Sequence, residues 1–115
     1  MAEPRVRAFG DIKQVPAFPG VTRRTLASGD RLTLVRIDVE RDHTVPQHVH
    51  PHEQAGTVII GRISIRIGDT TSICDEGDVY LIPGDIPHEV TALEPSTLIE
   101  VFAPVREDFV ADLDD

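Results

Sequence analysis

The chain has 115 residues, 40% of them hydrophobic, which suits one soluble domain with one core and leaves no room for a second. A net charge of −9 with a pI near 4.8 argues against nucleic acid or an anionic membrane as partner, because phosphate binding needs a basic face that releases counterions. No apolar run reaches the length of a membrane span and the first residues lack the layout of a signal peptide, so the expected location is cytoplasmic.

In chain order, residues 1–20 form a Pro- and Arg-containing segment outside the core, ending in the turn signal Pro16-Ala17-Phe18-Pro19-Gly20. Val21 to Ala27 reads as a strand, Ser28-Gly29-Asp30 as a turn, and Arg31 to Glu40 as a second strand with Val35, Ile37 and Val39 on one face. A loop around Arg41 to Gln47 leads into a histidine-rich stretch and then a strand from Gly56 to Ile60. From Arg62 to Ile67, Ile63, Ile65 and Ile67 alternate with Ser64 and Arg66, the pattern of a strand with one buried face. Gly68 to Thr71 reads as a turn, Ser72 to Cys74 as a short strand, and Asp75-Glu76-Gly77-Asp78 as a turn before the buried run Val79 to Ile82. Pro83 to Pro87 is a rigid loop, followed by strands over Glu89 to Leu93 and Thr97 to Ala103. Much of the negative charge gathers in Glu107, Asp108, Asp112, Asp114 and Asp115, so residues 110–115 are expected to form a solvated acidic tail. Short, evenly spaced strands without an amphipathic helix predict an all-β domain over residues 21–109, an antiparallel sandwich or barrel.

The densest chemistry lies in His48-Val49-His50-Pro51-His52-Glu53-Gln54. Side chains two apart leave one face of an extended chain, so His48 and His50 aim two imidazoles at one point. His88, at the end of the Ile82-Pro83-Gly84-Asp85-Ile86-Pro87 loop, offers a third from another strand. Such a set suits one divalent transition metal ion, and zinc, nickel, manganese and iron all accept imidazole ligands. Parity does not choose a fourth ligand, because His52 and Gln54 share it and Pro51 disturbs the pleat between them. His43 lies on the preceding loop, outside the set. Cys74 excludes an internal disulfide and, with no base beside it, reads as a small half-buried residue.

A second feature is Leu98-Ile99-Glu100-Val101-Phe102-Ala103-Pro104-Val105-Arg106. Glu100 and Phe102 share a strand face, with Arg106 just beyond the strand. Taken alone, this is a final strand whose Phe102 is core and whose Glu100 and Arg106 are solvated. Guanidinium pairs bidentately with carboxylate, which makes Arg106 the candidate for selecting an anionic small molecule.

The spacing of these motifs resembles the cupin superfamily: a His-x-His, then a Glu or Gln, six residues and a Gly, here His48, His50, Gln54 and Gly61. Its second motif, a Gly, five residues, a Pro, four residues and a His, reads Gly77, Pro83 and His88. Two family glycines are replaced, by Asp42 and Asp85, both at turn positions where Asp is tolerated. The resemblance implies a double-stranded β-helix, or jelly roll. It selects Gln54 as fourth ligand and leaves His52 and Glu53 at the cavity rim. It also implies a homodimer that pairs sheets and exchanges the N-terminal segment, a use that suits Arg5 to Val15.

A closer resemblance is to small cupins of the KdgF type, which open the ring of unsaturated uronates. It rests on His48-Val49-His50-Pro51-His52-Glu53-Gln54 and on Phe102-Ala103-Pro104-Val105-Arg106-Glu107-Asp108-Phe109. That family implies a metal on His48, His50, Gln54 and His88, with working residues at Glu100, Phe102 and Arg106. Glu100 stands where the family has Asp, which moves the carboxylate outward by one methylene. The substrate implied is a small carboxylate sugar and the reaction is non-redox lyase or isomerase chemistry. A neutral amide in place of a carboxylate ligand leaves the ion a stronger Lewis acid and leans away from oxygen-activating iron. Other readings of the same residues are a metal-dependent dioxygenase, a polyketide-cyclase-like enzyme and a small-ligand-binding cupin without turnover.

Overall fold

A computed structural model describes residues 2–113; Met1 and the acidic residues Asp114 and Asp115 lie outside the described residues. Ten strands are described: β1 (Val15–Phe18), β2 (Val21–Ser28), β3 (Thr33–Val39), β4 (Thr44–His48), β5 (Glu53–Ile60), β6 (Arg62–Ile67), β7 (Thr70–Asp75), β8 (Val79–Ile82), β9 (His88–Ala92) and β10 (Ser96–Ala103). They form two antiparallel sheets, one of order β1-β2-β3-β10-β5-β8 and one of order β4-β9-β6-β7. This is the jelly roll expected from the motif spacing.

The alternation seen in sequence becomes the core between the sheets. Thr33, Val35, Ile37 and Val39 point inward from β3, Ile63 and Ile65 from β6, and Leu98, Glu100 and Phe102 from β10. Burying such apolar faces supplies about 25 cal/mol per Å² and is the main drive to this fold. Cys74 is buried on β7, where burial and then the charges of Asp78 and Asp75 push its thiol pKa up, the opposite of a reactive cysteine.

Two strands differ from the sequence reading, for the same reason. Val15–Phe18 and Thr44–His48 pair as β1 and β4, where irregular chain was expected, and Ala17 packs on the core. Each contains a proline, Pro16 or Pro46, and each lies at the edge of its sheet, where a missing N–H leaves no ladder bond unmade. The acidic end also differs. Instead of trailing into solvent, Glu107–Val110 form a short helix (α1) and Ala111–Leu113 a single 3₁₀ turn, folded back on β2. Arg23 on β2 meets Asp112 at 2.9 Å, and the Thr25 hydroxyl donates to the Phe109 carbonyl.

Asp42 and Asp85, the two replacements for family glycines, both have φ of 65°, the left-handed region that Asp tolerates better than most residues. Among the described residues these are the only non-glycines there.

Candidate metal centre

Three elements bring the histidines together. His48 ends β4 and pairs across to His88, the first residue of β9, just past an irregularity in the ladder between Val45 and His48. A bulge of this kind re-aims the following side chain. His50 is not on the same strand as His48, as expected, but two residues beyond its end. Its loop is held in place, because the His50 carbonyl accepts from Asp85 N–H at 2.8 Å. Gly84 permits that approach, since a Cβ there would overlap the Pro51 carbonyl oxygen.

The rings of His48 and His88 lie 4.1 Å apart, those of His50 and His88 5.0 Å, and those of His48 and His50 5.5 Å, centroid to centroid. One ligand atom from each falls within 4.8 Å of the others, so the three could hold one metal ion. Backbone carbonyls orient two of the rings: His48 Nδ1 is 2.9 Å from the Pro46 oxygen and His88 Nδ1 is 2.8 Å from the Ile86 oxygen. That arrangement commits Nδ1 as donor and leaves Nε2 with its lone pair inward. The buried His88 Nε2 has no protein partner, an unmet lone pair that a cation would satisfy; His50 Nδ1 and His52 Nδ1 are buried without a partner as well.

Electrostatics agree with this use. Burial, reinforced by the charges of Arg106, His88 and His48 and only partly offset by the Gln54 hydrogen bond, lowers His50 to about 4. Burial also lowers His88, against the pull of its bond to Ile86. Both imidazoles therefore stay neutral at physiological pH, the form that binds metals.

Gln54, buried on β5, sets its Oε1 3.1 Å from His50 Nε2. Two ligand atoms at about 2.1 Å from one ion, at right angles, stand roughly 3 Å apart. His52 does not join the cluster: its Nε2 lies 3.2 Å from the Val105 carbonyl and its ring 5.4 Å from that of His50. His43 is also apart, its Nδ1 3.0 Å from the Arg41 oxygen.

The cluster opens on a cavity of about 320 Å³ between the sheets, also lined by Gln54, Glu100, Phe102 and Arg106. Two surface grooves of about 540 and 600 Å³ contain no histidine. Glu100 and Phe102 share one strand face, as expected, but both are buried, and Arg106 is only 9% exposed, so the solvated alternative for Glu100 and Arg106 does not hold. Burial raises the Glu100 pKa and outweighs hydrogen bonds from Tyr80 and Gln54 and the charge of Arg106, all of which lower it. Arg106 is not idle: its Nε and Nη2 donate to Asp108 at 3.0 and 2.8 Å.

Two residues were not singled out from sequence. Arg23 lines the same cavity, and its guanidinium stacks 4.2 Å above the Phe109 ring, with Arg106 4.0 Å from that ring as well. Tyr80, on β8, donates to Glu100 Oε2 at 2.6 Å. The turn of chain that returns Phe109 and Asp112 to β2 has no sequence signature of its own.

The model of the cupin domain matches residues 35–102. The chain belongs to the cupin family. Among solved structures it is similar to KdgF from Halomonas sp., with 26% identity, a TM-score of 0.87 and coverage of 92% of this chain and 98% of that one. It is also similar to an RmlC-like cupin from Shewanella frigidimarina, at 22% identity and a TM-score of 0.87 over 93% and 96% of the two chains. A deletion mutant of Bacillus subtilis oxalate decarboxylase matches at 21% identity and a TM-score of 0.78 over 85% of this cupin but 29% of the longer chain. The last two likenesses concern the fold alone. A search of curated proteins returned no match.

Proposed function

We propose that this cupin is a metal-dependent, non-redox enzyme that opens the ring of unsaturated uronate sugars. The observation that carries the reading is the meeting of three histidines with Glu100, Phe102 and Arg106 around one cavity of about 320 Å³, a volume suited to a single sugar ring. The likeness to Halomonas KdgF along nearly the whole chain supports the choice of substrate class.

His48, His50, Gln54 and His88 would hold one divalent ion, whose contribution when bound is to polarise a substrate oxygen as a Lewis acid. Arg106 binds the substrate carboxylate. Two of its N–H groups already serve Asp108, so the substrate takes the remaining donors of the fork or displaces that carboxylate. Arg23 adds a second positive charge on the same wall. Phe102, T-stacked on His50 at 5.7 Å and lying beneath Arg106, packs on the sugar face and keeps the carbon skeleton out of water.

Glu100 moves the proton. Its raised pKa makes it a better base than a surface glutamate and allows it to return the proton nearer neutrality, a balance that favours acid–base catalysis. Arg106 pulls the pKa down, and burial is the larger influence.

A homodimer belongs to the same proposal. Val79 and Leu81 are exposed on β8, an edge strand, and partner chains cover such edges. A monomeric mass in solution would remove it. No helix of the described residues is long and apolar enough to cross a membrane.

The reaction is tested by following loss of the conjugated ultraviolet absorbance of unsaturated galacturonate and unsaturated mannuronate monomers with purified protein. Chelator-sensitive acceleration is expected with at least one of them. No acceleration with metal bound would exclude the uronate substrate and leave the three-histidine centre in place.

A further inference from the structure

Glu100, Gly56 and Tyr80 stand in one row across three strands: Glu100 pairs with Gly56, and Gly56 with Tyr80. The row places an aromatic side chain two strands away from the acid it touches. Gly56 makes the contact feasible, because a Cβ there would overlap the Tyr80 ring at Cζ and Cε2. The ring crosses the bare backbone of β5 and its hydroxyl donates to Glu100 Oε2 at 2.6 Å, a short charge-assisted bond between buried groups. Gln54 stands on β5, the strand paired with that of Glu100, and lines the same cavity, and Gln54 Oε1 lies 3.1 Å from His50 Nε2. A line of neighbouring polar side chains thus runs from Tyr80 through Glu100 and Gln54 to the histidine cluster.

The geometry points to Tyr80 as a positioning residue for the centre: it fixes the Glu100 carboxyl group against the Gln54 amide and so couples β8 to whatever the histidines bind. Tyr80 touches neither the cavity nor the histidines, so it acts only through Glu100. One Glu100 oxygen is committed to the phenol, which leaves the other to face the amide and the cavity. Hydrogen bonds of this outer kind typically change metal affinity or activity by about 10- to 100-fold when removed. The kinetic half of this inference rests on the ring-opening reading, whereas the coupling itself does not.

Tyr80 is the sole tyrosine of a chain without tryptophan, so its emission can be read without interference. Zinc is a suitable probe, having no redox chemistry and a filled d shell. Titrating zinc into metal-free wild-type protein should change tyrosine emission saturably, ending at one ion per chain. Glu100→Leu removes the middle of the line at similar volume and leaves every proposed metal ligand in place; it should bind zinc without the emission change. A wild-type signal unmoved by saturating zinc would overturn the inference, as would an equal change in the folded Glu100→Leu variant. In turnover, Tyr80→Phe should lower kcat by about 10- to 100-fold while KM stays within about two-fold, the mark of a group felt mainly in the transition state. An unchanged kcat would overturn the positioning role. If the wild-type protein turns over no uronate, the ring-opening reading fails and the zinc titration still decides the coupling.

Discussion

The two walls of the cavity are built on opposite principles. On the histidine wall, His88 Nε2 and His50 Nδ1 are buried without a protein partner, and burial keeps both rings neutral. On the C-terminal wall every polar group is already matched: Arg106 to Asp108, Arg23 to Asp112, and Glu100 to Tyr80. A wall with unmet lone pairs suits a cation. A wall of paired charges would take a ligand by exchange, with the paired residues setting its selectivity.

That contrast can be broken most severely on the histidine side. Changing His88 or His50 to Ala should lower metal affinity by more than the roughly 10- to 100-fold that loss of a mere orienting partner costs, as measured by calorimetry. Retained tight binding would show that the cluster is not the site. Next in size, Glu100→Gln should cut kcat by about 10²- to 10⁴-fold with metal content unchanged, the range for losing a general acid–base group. Normal turnover would remove Glu100 from the chemistry.

The C-terminal wall offers a sharper comparison. Arg106→Ala should raise KM, while Asp108→Ala, which frees the guanidinium, should lower it, each by about ten-fold in Michaelis–Menten assays with the uronate. Equal effects of the same sign would contradict binding by exchange. The smallest expected effect is on stability. The pKa of His50 falls from 6.5 to about 4 on folding and that of His88 also falls, so the unfolded chain takes up protons first. Metal-free protein should therefore lose stability as pH drops from 6.5 towards 4, in urea melts at successive pH values. A flat profile over that window would mean that the rings are not desolvated.

The histidine wall was legible in sequence because its signal is local: His48, His50, Gln54 and Gly61 keep fixed spacing, as do Gly77, Pro83 and His88. Strand β10 was legible for the same reason, since parity alone puts Glu100 and Phe102 on one face. What escaped depends on pairing between distant strands. Tyr80 reaches Glu100 only through the register of β8, β5 and β10, and no spacing rule encodes that row. Arg23 joins the cavity only because the chain folds back after Arg106 and sets Asp112 beside it. The prolines in β1 and β4 misled in a more ordinary way, since an edge strand tolerates a residue that a central strand excludes.

The most direct test of the central claim is reconstitution. Metal is stripped from the protein, the loss of uronate absorbance is timed, and zinc, nickel, manganese or iron is returned in steps up to one ion per chain. If the histidine wall and the C-terminal wall form one catalytic centre, the rate vanishes on stripping and returns in proportion to bound metal, while protein carrying His48→Ala, His50→Ala and His88→Ala together stays inactive. Full activity in stripped protein, or recovery in that triple variant, would contradict it.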